Sequence, residues 1–173
     1  MIICGLDISS QRIDCATLRE DGPPLVAHVS LGRKSAKLND RLRAIPDAVN
    51  RLTRVGEGLL DYTGGHYERP DWIAIEQVYR HPALHRTIGA IIASCPPACK
   101  VKVVTPWEWR KAIECTRDTK EQGHANVTTI LRNWHKNLTD EDGYDVQSTG
   151  YDEHELDAIG IALGARRMIE GQA

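Results

Sequence analysis

Acidic residues at the ends of predicted buried elements are the features of this sequence that could carry chemistry. Glu76 follows the apolar run Trp72–Ile75, and Asp7 lies near the end of a similar run at the N-terminus. An ionised acid in apolar surroundings needs a partner charge or a metal ion. His154 and Asp157 stand at i and i+3, so they share a helix face. A fold that brought these residues together could hold two Mg²⁺ ions, which is the chemistry of phosphodiester hydrolysis.

The composition limits the class of protein. A chain of 173 residues predicts a single domain over 1–173, and the net charge of -2 argues neither for nor against a nucleic-acid partner. The five cysteines include no Cys-x-x-Cys pair, which is evidence against a disulfide framework or a zinc module. Reduced thiols, and the lack of an apolar run of membrane length, predict a cytoplasmic protein with no membrane partner.

Apolar patterns predict the elements that would position these residues. Strands are predicted over Met1–Ile8, Ile13–Arg19, Leu25–Leu31, a segment ending at Glu76, and Val101–Val104. The first three follow one another too closely for intervening helices, so they should form an antiparallel meander.

Helices are predicted between and after the later strands. The predicted helical segments are Leu38–Leu59, Pro82–Ala93, one that starts at Pro106, one capped by Thr119, and Asp152–Ile169. Asn137–Tyr151 has no periodicity and predicts a loop. This order is typical of a mixed α/β protein, in which a meander and parallel strands form a five-stranded sheet flanked by helices. It is similar to the order of the ribonuclease H-like fold.

The motifs around the acids resemble those of RuvC-type Holliday junction resolvases over most of the chain. The similar segments are Gly5-Leu6-Asp7, Ile75-Glu76-Gln77-Val78-Tyr79, Arg86-x-x-Gly89-Ala90, Lys120 at a helix start, and His154-Glu155-Leu156-Asp157-Ala158. Of these, the Glu-Gln-Val segment in its context is the most specific.

The resemblance implies a function for each matched residue. Asp7, Glu76, His154 and Asp157 would be metal ligands for two Mg²⁺ ions, with Mn²⁺ as a substitute. Lys120 would stabilise charge on the scissile phosphate. The implied protein is a homodimeric endonuclease that cuts Holliday junctions, forks or related branched DNA.

Four residues are candidates for contact with that DNA. Tyr79 would take the place of an aromatic that stacks on a base at the junction centre, and Arg80, Arg86 and Lys111 would contact phosphates. Trp107 and Trp109 lie beside basic residues and could form a stacking platform, although filling of the core is the commoner use of tryptophan.

Two departures from the family pattern bear on the site. Ile8-Ser9-Ser10 stands where the family has Pro-Gly after its first aspartate, and His154 stands where an aspartate is common. Glu153 is four residues before Asp157, so it is an alternative ligand to His154.

Two other functions are compatible with the same motifs. Gly5–Ser10 is similar to the phosphate loop of sugar kinases and actin-like ATPases, although the glycine usual in that loop and a second domain are missing. The other alternative is a non-catalytic protein that binds branched DNA. Clustered acids are evidence against that alternative, because negative charge beside DNA weakens binding.

Overall fold

The computed structural model of the chain describes residues 1–20, 22–33, 35–53, 69–77, 81–139 and 150–171. The strands are β1 (Ile3–Ile8), β2 (Arg12–Leu18), β3 (Leu25–Ser30), β4 (Trp72–Glu76) and β5 (Lys100–Val104). The helices are α1 (Leu38–Leu52), α2 (Pro82–Ser94), α3 (Pro106–Ala112), α4 (Lys120–Thr139) and α5 (Glu153–Ile169). No helix in these ranges is both long enough and apolar enough to cross a membrane.

The five strands form one mixed sheet in the order β3-β2-β1-β4-β5. β1, β2 and β3 are the predicted antiparallel meander, while β4 pairs with β1 and β5 pairs with β4 in parallel. The end of the central strand β1 lies between β2 on one side and β4 on the other. Asp7 faces Asp14 of β2, and the parallel register pairs Leu6 with Ile75, the residue before Glu76.

Helices cover both faces of the sheet. α1 and α2 pack on the face that carries Leu6, Ile13 and Ile73, whereas α3, α4 and α5 pack on the opposite face. Because successive side chains of a strand point to opposite faces, Asp7 and Glu76 lie on the face covered by α5.

α5 lies unusually close to β1, and Gly5 is the reason. A Cβ at position 5 would lie 2.3 Å from the Ala158 carbonyl oxygen and 2.5 Å from the Ala162 backbone nitrogen. Those are backbone atoms that cannot turn aside, so the close approach requires glycine. It brings the first turns of α5 next to the end of β1.

One helix boundary differs from the sequence-based expectation, and another can be compared only in part. α4 continues to Thr139, so the prediction of a loop from Asn137 was wrong. Leu138 prolongs the apolar spacing set by Leu131 and Trp134, which favours three more helical residues. α1 ends at Leu52, and its predicted extension to Leu59 lies outside the described residues, as do 140–149 of the predicted loop.

Two predicted helix starts are confirmed by their capping contacts. Thr105 caps α3 in a reciprocal pair with Glu108, and Pro106 occupies the first turn. Thr119 Oγ1 accepts a hydrogen bond from the Gln122 backbone nitrogen at 3.3 Å at the start of α4.

Candidate active site

The ends of β1 and α5 bring Asp7 and His154 into contact. His154 Nδ1 lies 2.6 Å from Asp7 Oδ2. The Asp7 side chain is only 15% exposed, and its burial raises the pKa of this carboxyl group; the hydrogen bond to His154 opposes the shift and the charge of Asp157 adds to it. Asp7 is therefore a largely desolvated acid next to another acid and an imidazole.

Glu76 lies at the end of β4 and receives a hydrogen bond from a buried tryptophan. Trp109 Nε1 donates to Glu76 Oε2 at 2.6 Å. Burial raises the pKa of Glu76 to about 7; repulsion from Asp7 and Asp157 acts in the same direction, against the hydrogen bond from Trp109. Without a cation, this acid takes up a proton more readily than an ordinary glutamate.

The Trp109 indole reaches Glu76 because α5 has glycines where the ring packs. A Cβ at Gly160 would lie 2.5 Å from Trp109 Cζ3, and a Cβ at Gly164 would lie 2.7 Å from the Trp109 backbone. The ring is fully buried. Of the two uses considered for Trp109, filling of the core is therefore the one observed, and base stacking is excluded. Trp107 is 41% exposed.

Asp157 is held by two residues of α4. His124 Nε2 lies 2.9 Å from Asp157 Oδ1, and Lys120 Nζ lies 3.0 Å from Oδ2. Lys120 also lies 3.2 Å from Glu153 Oε2. Desolvation lowers the pKa of Lys120, but its hydrogen bonds and charge interactions with Asp157 and Glu153 outweigh this effect, so the net shift is upward. Lys120 is thus a cation beside the acids.

The donor set fits a divalent cation. Carboxylate oxygens suit Mg²⁺, and an imidazole nitrogen beside them suits Mn²⁺. The raised pKa of Asp7 and that of Glu76 each include repulsion from Asp157, so the acids share one electrostatic environment. A cation bound between them would relieve this repulsion and stabilise the charged carboxylates.

Asp14 also belongs to this cluster, and the sequence reasoning missed it. In the described ranges, Asp7, Asp14 and His154 form a group whose ligand atoms all lie within 4.8 Å of one another. Asp14 is fully buried, and Arg12 occupies both of its oxygens: Nε donates to Oδ2 at 2.6 Å and Nη2 donates to Oδ1. We therefore regard Asp14 as a partner of Arg12 rather than as an additional ligand.

Signals for Asp14 and His124 are present in the sequence. In the antiparallel β1–β2 hairpin, the numbers of paired residues always add to 21. Once this register is known, Asp7 must face Asp14. His124 follows Lys120 by four residues, which places both on one face of α4.

The two alternative ligands at the start of α5 have different surroundings. His154 contacts Asp7, whereas the Glu153 side chain is 77% exposed and contacts Lys120. Of the two, His154 is the residue that lies next to the acid of β1.

The predicted DNA contacts fall in different parts of the molecule. Tyr79 and Arg80 lie outside the described residues. Arg86 is exposed on α2 and Lys111 is exposed on α3. These two helices pack on opposite faces of the sheet.

Three solved structures have a similar fold. RuvC from Thermus thermophilus in complex with a Holliday junction substrate superposes with a TM-score of 0.67 at 19% identity, over 100% of this chain and 98% of that chain. Another Thermus thermophilus RuvC structure gives 0.64 at 18% identity, over 100% and 98%. Fowlpox virus resolvase in complex with substrate Holliday junction DNA gives 0.51 at 16% identity, over 100% of both chains.

These similarities establish the fold. The chain has the ribonuclease H-like fold of RuvC, and the predicted mixed five-stranded sheet with flanking helices is confirmed. No protein-family model and no curated protein matches the sequence.

Proposed function

We propose that residues 1–173 form one divalent-metal-dependent endonuclease domain that resolves Holliday junctions or related branched DNA. The observation that carries the proposal is the contact between His154 and Asp7 at one edge of a RuvC-like sheet, where the charge of Asp157 contributes to the raised pKa of both Asp7 and Glu76. Two of the structures with this fold hold Holliday junction DNA, which supports the same class of substrate for this chain.

Each residue of the site has a part in this proposal. Asp7, Glu76, His154 and Asp157 hold Mg²⁺ or Mn²⁺, with two ions per site. When bound, the cations supply an activated water and stabilise the leaving oxygen. Lys120, which contacts Asp157, stabilises the negative charge of the scissile phosphate.

The proposal also assigns DNA contacts to residues outside the metal site and a homodimer to the whole protein. Tyr79 stacks on an unpaired base, while Arg80, Arg86 and Lys111 contact phosphates. A symmetric homodimer would present two sites and cut two strands of one junction. All five cysteines are free thiols, which is compatible with the cytoplasm as the compartment.

Cleavage assays with structured DNA test the proposal. Labelled four-way junction, fork, duplex and single-stranded DNA are incubated with the protein in Mg²⁺, in Mn²⁺ and in EDTA. We expect cleavage of the branched substrates in both cations and none in EDTA. Asp7→Asn, Glu76→Gln and Asp157→Asn should each lose most of the cleavage, while Glu121→Gln, which changes an exposed acid of α4, should keep it.

The outcomes separate the alternatives. If two of the three acid variants cut at the wild-type rate, the assignment of these acids as metal ligands would be wrong. Junction binding without cleavage in any cation would favour the non-catalytic DNA-binding protein, and ATP binding without cleavage would favour the actin-like alternative.

Substitutions at His154 test the identity of the ligand on α5. His154→Ala should lose most activity, whereas His154→Asp should retain it and reduce the preference for Mn²⁺ over Mg²⁺. Full activity of His154→Ala together with an inactive Glu153→Ala would assign the ligand to Glu153.

A further inference from the structure

Arg12 connects the second strand of the sheet to the start of α5. Its guanidinium donates to Asp14 on β2 through two nitrogens, and Nη2 also donates to Asp152 Oδ2 at 2.7 Å. Asp152 is the N-cap residue of α5. One side chain therefore bridges the strand that pairs with β1 and the helix that carries His154.

Asp152 makes this connection with the same carboxylate that begins the helix. Its Oδ1 accepts hydrogen bonds from the His154 and Glu155 backbone nitrogens, both at 2.9 Å, while Oδ2 receives Arg12. Glu155 Oε2 accepts from the Asp152 backbone nitrogen at 2.8 Å in return. Asp152 thus links Arg12 to the first turn of α5, which carries His154.

Asp14 fixes Arg12 from the other side. The Asp14 side chain is 1% exposed, and a buried charge of this kind requires a partner. A paired contact between a guanidinium and a carboxylate sets both the distance and the plane of the two groups. These hydrogen bonds, with Asp14 first, also raise the pKa of Arg12, so its charge persists.

We propose that Arg12, Asp14 and Asp152 form a positioning unit that holds His154 against Asp7 and so prepares the metal site before a cation binds. The inference rests on the proposed function, because it concerns the ligands of that site. Arg12 is a positioning residue: within the described part of the chain its side chain donates to Asp14 and Asp152 and to neither Asp7 nor His154, so it acts through the two aspartates.

Two variants remove the connection in different ways. Arg12→Gln/Asp14→Asn removes one positive and one negative charge together, so the net charge near the acids is unchanged. Asp152→Asn keeps a good N-cap side chain but loses the charged acceptor for Arg12. Arg167→Gln is the matched control, because it breaks an ion pair of α5 with Glu114, at 2.8 Å, far along the helix from His154.

Binding of Mn²⁺ to the full chain is measured by calorimetry without DNA, and the Mn²⁺ dependence of junction cleavage is measured separately. Loss of groups that orient metal ligands costs about 10- to 100-fold in metal affinity. We expect both variants to raise the Kd for Mn²⁺ and the half-saturating Mn²⁺ concentration about tenfold, with rates at saturating Mn²⁺ within about threefold of wild type. Arg12→Lys keeps the charge but cannot make the bidentate contact, so its Kd for Mn²⁺ should lie between that of wild type and those of the two variants.

The results separate this inference from the proposed function. An unchanged Kd in a folded Asp152→Asn protein, or an equal change in Arg167→Gln, would overturn the positioning unit. Tighter Mn²⁺ binding by the double variant would do the same, since it would mean that Arg12 and Asp14 hinder the site. Weaker Mn²⁺ binding by both variants of a protein that cuts no DNA would support the positioning unit and overturn the nuclease. A wild-type protein that binds no Mn²⁺ would overturn both.

Discussion

Among the described residues Glu76 has no cationic hydrogen-bond partner, in contrast to Asp157, which contacts Lys120. Its environment supplies burial and two acidic neighbours, its hydrogen-bond donor is a neutral indole, and the charge of Arg110 is the smallest of the influences on its pKa. A carboxyl group in such a place is protonated more readily than usual, and a divalent cation competes directly with that proton. The pH dependence of the protein therefore reports on this residue.

The first prediction concerns the stability of the metal-free protein. The pKa of Glu76 is about 7 in the folded state against an ordinary value of 4.5, so between these pH values the folded state keeps a proton that the unfolded state has lost. The stabilisation by that proton is complete below about pH 4.5 and is lost as the pH rises through 7. In EDTA, wild type should lose up to roughly 3 kcal/mol relative to Glu76→Gln between pH 5 and pH 8.

Urea unfolding of both proteins at the two pH values measures this difference. Glu76→Gln is the control for every other titrating group, because it keeps the shape of the side chain. If the free energy of unfolding changed equally with pH in wild type and in Glu76→Gln, the raised pKa of Glu76 would be contradicted. Mg²⁺ added at pH 8 should stabilise wild type more than the variant, since the charged carboxylate is then a ligand.

A second prediction concerns the hydrogen bond from Trp109. Trp109→Phe keeps an aromatic ring in the core but removes the donor that stabilises the charged form of Glu76. The pKa of Glu76 should rise, so the acidic limb of the pH–rate profile for junction cleavage should move to higher pH, with recovery of the rate at high pH. Trp107→Phe, at an exposed position of the same helix, should leave the profile unchanged. An unshifted profile in Trp109→Phe would show that the indole only packs.

At the scale of the elements, much of the fold could be predicted because the signals are local. Short apolar runs separated by tight turns define β1, β2 and β3. The acids at the ends of β1 and β4 could be assigned to one edge only through the similarity to the ribonuclease H-like fold, in which these strands are parallel neighbours. Asp14 could not be found in this way, because its place beside Asp7 depends on the hairpin register. His124 depends on how α4 is rotated against α5, which is set by packing between residues distant in sequence.

The contact between β1 and α5 leads to a third prediction. Gly5→Ala should push α5 away from the sheet, because the added Cβ would meet backbone atoms of Ala158 and Ala162. Overpacking of this kind costs typically about 1–3 kcal/mol, and more where the backbone must move. Gly89→Ala is the matched control, since a Cβ at this position of α2 meets nothing within 4 Å.

Thermal unfolding compares the two alanine variants. Gly5→Ala should lower the Tm and weaken Mn²⁺ binding, because the first turn of α5 carries His154. Gly89→Ala should leave the Tm unchanged or raise it, since alanine favours a helix by about 1 kcal/mol over glycine. Equal Tm values for Gly5→Ala and wild type would contradict the close contact.

For the whole molecule, the balance of charge sets a condition on DNA binding. The net charge is -2, so attraction to phosphates must come from cations that are segregated from the acids. Without a metal, the cluster of Asp7, Glu76 and Asp157 would face the scissile phosphate and repel it. The cation thus has two effects in the proposed function: it completes the chemistry and it cancels this repulsion.

The last prediction follows from that repulsion. In EDTA, Asp7→Asn should bind an intact four-way junction more tightly than wild type by about threefold or more, since a unit charge a few ångströms from a phosphate costs about 1 kcal/mol even in water. Glu121→Gln changes the net charge by the same amount on an exposed part of α4, so it should gain much less affinity for the junction.

Fluorescence anisotropy with a labelled junction at several salt concentrations measures the affinities of both variants. The gain of Asp7→Asn should shrink as salt screens the charges. An equal gain for both variants would attribute the effect to net charge alone, and weaker binding by Asp7→Asn would mean that the cluster does not face the phosphate in the complex.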